Sequence, residues 1–157
     1  MCLIAASDWE QMWSDNAELT ERVGEDTRAL GERLRAAEQL GAGVEPALAL
    51  AVGRALKRYL DALQAECFEL QECLAWKHWY REAAEGRQYE LMDVQNARVE
   101  VIDALFFWIS LAQLVGLRPA DVRRLYAQKR ALVERRLDAQ RTQREHPLHH
   151  AENRAIS

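Results

Sequence analysis

The stretch LMDVQNARVEVIDALFFWISLAQLV, residues 91–115, decides the fold class because it is the most apolar part of the chain. Its apolar side chains recur at the three- and four-residue spacing that places them on the faces of an α-helix. Gly116 follows directly, and glycine ends helices because it adopts left-handed backbone angles at no steric cost. We therefore predict a helix over residues 91–115 with the apolar positions Val99, Ile102, Leu105, Phe106, Ile109, Ala112 and Leu114.

Two acidic residues, Glu100 and Asp103, interrupt this apolar stretch. They are three residues apart and therefore share a helix face. Because burying a bare carboxylate is very costly, each must be paired or bound to a cation. Glu66 and Glu69 repeat the spacing in the preceding helical segment. A solvated helix face is the commoner explanation of the second pair alone, but two such pairs on two packed helices favour a functional site.

The four carboxylates of these pairs predict a metal site. Hard oxygen ligands select Mg²⁺ or Mn²⁺, and the absence of histidine from the set argues against zinc. A di-iron carboxylate bundle would need Glu-x-x-His motifs, and the sequence contains none. A non-enzymatic helical scaffold, in which all four acids are structural, is the alternative from another class of protein.

Three further segments have helical periodicity. The first covers residues 8–40, where Gly24 and Gly31 weaken the prediction of one unbroken helix. The second begins near Pro46 and continues to about residue 84, a length at which we expect a bend or break near residues 58–64. Pro119 suits the first turn of the last helix, which we expect over residues 119–141.

The composition excludes several fold classes. Seven glycines and three prolines in 157 residues are too few for a turn-rich β-fold. No glycine cluster is present, which argues against a dinucleotide-binding fold or a P-loop. We predict one all-α domain over residues 1–141, a four- to five-helix bundle unit completed by oligomerisation, and a flexible tail over residues 142–157.

Charge and cysteine content limit the partners and the compartment. A net charge of −4 argues against a nucleic-acid partner. Three cysteines without a framework spacing indicate free thiols in a reducing compartment. The first residues do not have the pattern of a signal peptide, and the apolar run 101–117 is too interrupted for a membrane span. We expect a cytoplasmic protein without a membrane partner.

An aromatic cluster, Trp76-Lys77-His78-Trp79-Tyr80, follows the first acidic pair. Aromatic rings beside a cation could stack on a base and bind phosphate. For the aromatics alone, core packing of Trp76 and Trp79 is slightly favoured, with Lys77 reaching towards solvent.

Three polar residues elsewhere in the chain are candidate ligand contacts. Asn96 lies four residues before Glu100 on the same helix face, where it could bond a ligand or cap the helix. Lys129 and Arg136 are seven residues apart and share a face of the last predicted helix. Alone, such a pair is most often solvated.

Taken together, the motifs resemble those of the dimeric all-α dUTPases, which belong with the MazG-like nucleoside triphosphate pyrophosphatases. The resemblance covers about residues 60–137 and implies an all-α homodimer or homotetramer that hydrolyses a (d)NTP to the monophosphate and pyrophosphate. It is carried by Glu66-x-x-Glu69, Trp76-Lys77-His78-Trp79, Asn96-x-x-x-Glu100-x-x-Asp103, and Tyr126-x-x-Lys129 with Arg136.

The resemblance also implies a role for each matching residue. The Mg²⁺ ligands would be Glu66, Glu69, Glu100 and Asp103, with Glu66 or Glu69 orienting the attacking water. The residues near the phosphates would be Lys77, Lys129 and Arg136. The nucleoside would be held by Asn96 with Trp76 or Trp79.

The base is not predicted by these motifs. Arg130 and Val133 stand where the dUTPase pattern has asparagines, and its uracil-selecting segment is not recognisable in residues 8–50. The substrate could be dUTP, or another nucleotide such as dGTP if the chain is a MazG-like pyrophosphatase.

Overall fold

The computed structural model describes residues 6–41 and 43–142, and side chains within residues 7–41 and 43–138. These residues contain six helices and no strand, so the predicted all-α class is confirmed. An isolated antiparallel bridge joins Leu74 and Leu91. The predicted tail lies outside the described residues except for Thr142. The helices are α1 (Ala6–Arg22), α2 (Thr27–Gln39), α3 (Pro46–Glu72), α4 (Arg81–Ala84), α5 (Val94–Leu114) and α6 (Pro119–Thr142).

The first predicted helical region forms two helices, α1 and α2. Gly24 adopts a φ of 88° in the turn between them, a conformation that glycine reaches without strain. Asp26 then caps α2, since its side chain accepts a hydrogen bond from the Ala29 backbone N–H at 2.8 Å. Capping and the glycine turn together explain why the region divides at this point.

We expected a bend or a break near residues 58–64; helix α3 runs without interruption through them, so the break is wrong. No glycine or proline occurs between Gly53 and Gly86, and the local sequence favours helix throughout. The helix ends at Glu72 and is followed by its cap residue Cys73, whose carbonyl accepts a hydrogen bond from the Met92 N–H at 2.8 Å. Backbone pairing with the segment that leads into α5 therefore ends α3, and sequence periodicity does not report such pairing.

Contacts divide the chain into two compact units, Met1–Gly116 and Leu117–Ser157. In the first unit α5 packs against α1, α2 and α3, most extensively against α3. Its apolar core includes Leu48 and Val52 from α3 and Ile109 and Leu114 from α5. Helix α6 belongs to the second unit. The single domain over residues 1–141 stays a prediction.

Buried polar side chains fix α5 against α1 and α2. Asn16 donates to the Ser110 hydroxyl at 3.0 Å, and Thr27 donates to Gln113 Oε1 at 2.6 Å. The Gln113 amide in turn donates to the Trp13 carbonyl at 2.8 Å. Because a buried polar group is costly unless it is bonded, these pairs specify one register for the carboxyl-terminal half of α5.

No single helix among the described residues is long and apolar enough to cross a membrane. The consecutive pair α5 and α6 passes such a test jointly, by length and composition only.

Candidate metal centre

Three of the four predicted carboxylates converge between α3 and α5. Glu66 comes from α3, and Glu100 and Asp103 come from α5. One carboxylate oxygen of each lies within 4.8 Å of the others, a separation that a single cation can bridge. Glu100 is buried, with 7% of its surface exposed, while the other two are half-buried. This group is called the acidic cluster below.

Glu69 lies outside the acidic cluster. Its side chain is exposed, one turn along α3 from Glu66, although its charge still acts on that residue. The spacing predicted that Glu66 and Glu69 share a helix face, but only Glu66 joins the cluster, and its other two carboxylates come from α5. The role of Glu69 as a metal ligand stays a prediction.

The acidic cluster is electrostatically unfavourable without a cation. Burial raises the pKa of Glu66 most, and the charges of Glu69, Asp103 and Glu100 raise it further, as does a side-chain hydrogen bond with Glu100. Crowded carboxylates share protons because like charges at close range disfavour full ionisation. A divalent cation would relieve the same repulsion, so the cluster is chemically suited to exchange a proton for a metal ion.

Asn96 contacts the acidic cluster directly. Its side-chain nitrogen donates to Glu100 Oε1 at 2.9 Å and approaches Cys73 Sγ at 3.4 Å. Its backbone N–H donates to the Asp93 side chain, which caps α5. The sequence placed Asn96 on the Glu100 face correctly, but in this structure its amide nitrogen bonds a carboxylate. Nucleoside binding by Asn96 stays a prediction.

Trp76 and Lys77 form a compact arrangement with their neighbours. The Trp76 indole N–H donates to Glu72 Oε1 at 2.9 Å, and its ring meets Phe68 edge-on with centroids 6.1 Å apart. Lys77 Nζ lies 5.1 Å from the Trp76 ring centroid and 5.5 Å from that of Tyr80. It also lies 3.6 Å from Glu72. A phosphate at Lys77 would therefore compete with Glu72.

Two of these partners, Tyr80 and Glu72, stabilise the charged form of Lys77. A side-chain hydrogen bond with Tyr80 raises the pKa of Lys77 most, and the Glu72 carboxylate raises it further. The sequence did not indicate these contacts among Glu72, Trp76 and Lys77. Their four- and five-residue spacing runs past the end of α3, where helical spacing no longer predicts contact.

Trp79 differs from Trp76 in its surroundings. It is 67% exposed, and its ring meets His78 edge-on with centroids 4.7 Å apart. Core packing, which the sequence slightly favoured for both tryptophans, is wrong for Trp79. An exposed indole ring offers a stacking surface, which is the property that a nucleobase requires.

The two remaining basic residues, Lys129 and Arg136, lie on α6 and are half-buried. They belong to the second unit, Leu117–Ser157. Their role near the phosphates stays a prediction.

The comparisons with known proteins identify no family for this chain. No protein-family model matches the chain, and neither a curated protein nor a solved structure matches it significantly. The resemblance to the all-α pyrophosphatases therefore rests on the motifs alone.

Proposed function

We propose that the chain is a Mg²⁺-dependent nucleoside triphosphate pyrophosphohydrolase that converts a (d)NTP to the monophosphate and pyrophosphate. The substrate would be dUTP or another nucleotide such as dGTP. The observation that carries the proposal is the convergence of Glu66, Glu100 and Asp103 from two helices into one group of carboxylate oxygens. The motif resemblance supplies the reaction.

The residues present fit Mg²⁺ or Mn²⁺. All three donors are carboxylate oxygens, which these hard cations prefer. Glu66 and Asp103 are half-buried rather than enclosed, so a cation held there would keep open positions. Mg²⁺ normally keeps several waters and binds one or two carboxylates together with substrate phosphates.

Different residues of the chain would have different roles in the hydrolysis. Mg²⁺ bound at the acidic cluster would neutralise phosphate charge and make a water more acidic. The exposed Glu69 would orient that water towards the α-phosphorus and accept its proton. Lys77, after releasing Glu72, would balance the charge of the leaving pyrophosphate, a role that the resemblance also implies for Lys129 and Arg136. The exposed ring of Trp79 would stack on the base.

An apolar surface supports the proposed homodimer or homotetramer. Val99, Ile102 and Phe106 share one face of α5 by their helical spacing and are each between 42% and 51% exposed. Exposed apolar surface of this kind marks association sites in soluble proteins. A second copy of the chain would cover it in a symmetric assembly.

The proposal is tested by pyrophosphate release from a panel of dNTPs in the presence of Mg²⁺. We expect turnover of one or a few nucleotides, abolished by Glu100→Gln with the helical circular dichroism nearly intact. Glu38→Gln, which alters an exposed glutamate of α2, is the matched control and should keep wild-type turnover. No turnover of any nucleotide, together with no metal binding by calorimetry, would favour the non-enzymatic scaffold.

A further inference from the structure

We propose that Asn96, held by Cys73, is a positioning residue that orients Glu100 for metal binding. This inference rests on the proposed function in one respect, since it takes Glu100 to be a metal ligand. It differs from that function's expectation for Asn96, which was contact with the nucleoside.

The hydrogen bonds around Asn96 fix the direction of its amide. The side-chain nitrogen carries two hydrogens, and it has two acceptors, Glu100 Oε1 at 2.9 Å and Cys73 Sγ at 3.4 Å. The Cys73 thiol donates to the Glu69 carbonyl at 3.7 Å, which leaves a sulfur lone pair to accept from the amide. A flipped amide would point its oxygen at the Glu100 carboxylate, which is repulsive.

Cys73 is also the point where two helices meet. It is the carboxyl-terminal cap of α3, and its carbonyl accepts from the Met92 N–H at 2.8 Å, immediately before α5. Asp93 caps α5 by accepting from the Asn96 backbone N–H at 2.8 Å. The backbone and the side chain of Asn96 are therefore both anchored where α3 ends and α5 begins.

This anchor lies within two helical turns of the acidic cluster. Glu100 is one turn beyond Asn96 on α5, and Glu66 is two turns before Cys73 on α3. Cys73 is 3% exposed and Glu100 is 7% exposed, so neither side chain can exchange these bonds freely for water. Groups that orient metal ligands by hydrogen bonds contribute substantially to metal affinity.

Binding of Mn²⁺ alone, measured by electron paramagnetic resonance titration, tests the positioning role without nucleotide turnover. Asn96→Leu keeps the size of the side chain and removes both hydrogen bonds, and we expect it to weaken Mn²⁺ binding about tenfold. Gln95→Leu alters the adjacent exposed residue of α5 and should bind Mn²⁺ as the wild type does. Circular dichroism and thermal melting establish that each variant is folded.

Cys73 provides a second pair of variants should Asn96→Leu fail to fold. Cys73→Ala removes the acceptor for the amide and should weaken Mn²⁺ binding severalfold. Cys73→Ser keeps a donor and an acceptor and should restore it. The base preference, measured as the ratio of kcat/KM between nucleotides, should not change in any of these variants, since a positioning residue does not contact the base.

The possible results separate this inference from the proposed function. Wild-type affinity in folded Asn96→Leu, equal weakening in Gln95→Leu, or an altered base preference would overturn the positioning role, as would a wild-type protein that binds no Mn²⁺. Mn²⁺ binding that depends on Asn96 in a protein that hydrolyses no nucleotide would overturn the proposed function and leave the positioning role intact.

Discussion

Glu66 is the residue at which the electrostatics of the acidic cluster can be measured. Its carboxyl loses solvation and faces three other carboxylates, and the pKa of Glu66 rises above 4.5 as a result. In the folded, metal-free protein it therefore holds its proton to a higher pH than it does in the unfolded chain. Proton binding and metal binding then compete at the same oxygens.

This competition predicts a pH dependence of stability. Because the folded state binds more protons than the unfolded state between pH 4.5 and the raised pKa of Glu66, the free energy of unfolding should fall as pH rises through that interval. Below pH 4.5 this contribution should be present in full. Urea unfolding of the chelator-treated protein at a series of pH values measures the effect.

Two comparisons isolate Glu66 in that experiment. Glu66→Gln removes the titrating group and should flatten the decline, whereas Glu38→Gln on α2 should retain it. Saturating Mn²⁺ should also reverse the decline in the wild type, because a ligand that binds only the folded state stabilises it. An identical slope in wild type and Glu66→Gln would show that Glu66 does not carry the dependence.

At the scale of the elements, the contact between α2 and α5 depends on Gly31. A Cβ atom at this position would lie 1.7 Å from the Gln113 carbonyl oxygen and 3.0 Å from the Gly116 backbone nitrogen. These are backbone atoms at the end of α5, so they cannot move aside as a flexible side chain would. Gly31 permits this close approach of α2 to α5. From the sequence, Gly31 only weakened the prediction of one unbroken helix over residues 8–40.

Gly31→Ala is therefore expected to destabilise the protein although alanine favours helix. The overlap should reduce the free energy of unfolding by about 2 kcal/mol or more. Gly53→Ala is a matched control, since Gly53 lies inside α3 and, apart from the adjoining backbone of that helix, no atom lies within 4 Å of the added Cβ. It should stabilise the protein by about 0.5–1 kcal/mol. Thermal or urea unfolding compares the two, and equal changes would contradict the packing argument.

Periodicity predicted the elements of this fold better than it predicted their ends. The spacing of apolar residues predicted the α5 helix. The cost of burying a bare carboxylate identified Glu100 and Asp103 as candidate site residues. The end of α3 before Cys73 does not follow from local spacing, because it depends on backbone hydrogen bonds to a segment about twenty residues away. The contact of Asn96 with Cys73 follows from that pairing and was equally beyond the reach of local spacing.

At the scale of the whole molecule, α5 is covered unequally along its length. Its carboxyl-terminal half packs against α1 and α2, and Ile109 and Leu114 are almost fully buried. Nearer its amino terminus, Glu100 and Asp103 lie beside Glu66 of α3, while Ile102 and Phe106 are 51% and 42% exposed. The sequence predicted these residues as apolar positions of the helix, and within the described part of the chain they are not buried.

Exposure of this apolar surface leads to a prediction about assembly. If a second copy covers it, the wild-type protein should sediment as a dimer or tetramer, and Ile102→Glu should shift it towards monomer by placing a charge in an apolar contact. Val23→Glu is the control, since Val23 is 73% exposed in the turn after α1 and should leave assembly unchanged. Analytical ultracentrifugation over a range of concentrations measures the outcome. A monomeric wild type would contradict this prediction about assembly. It would leave the acidic cluster complete, because Glu66, Glu100 and Asp103 all come from one chain.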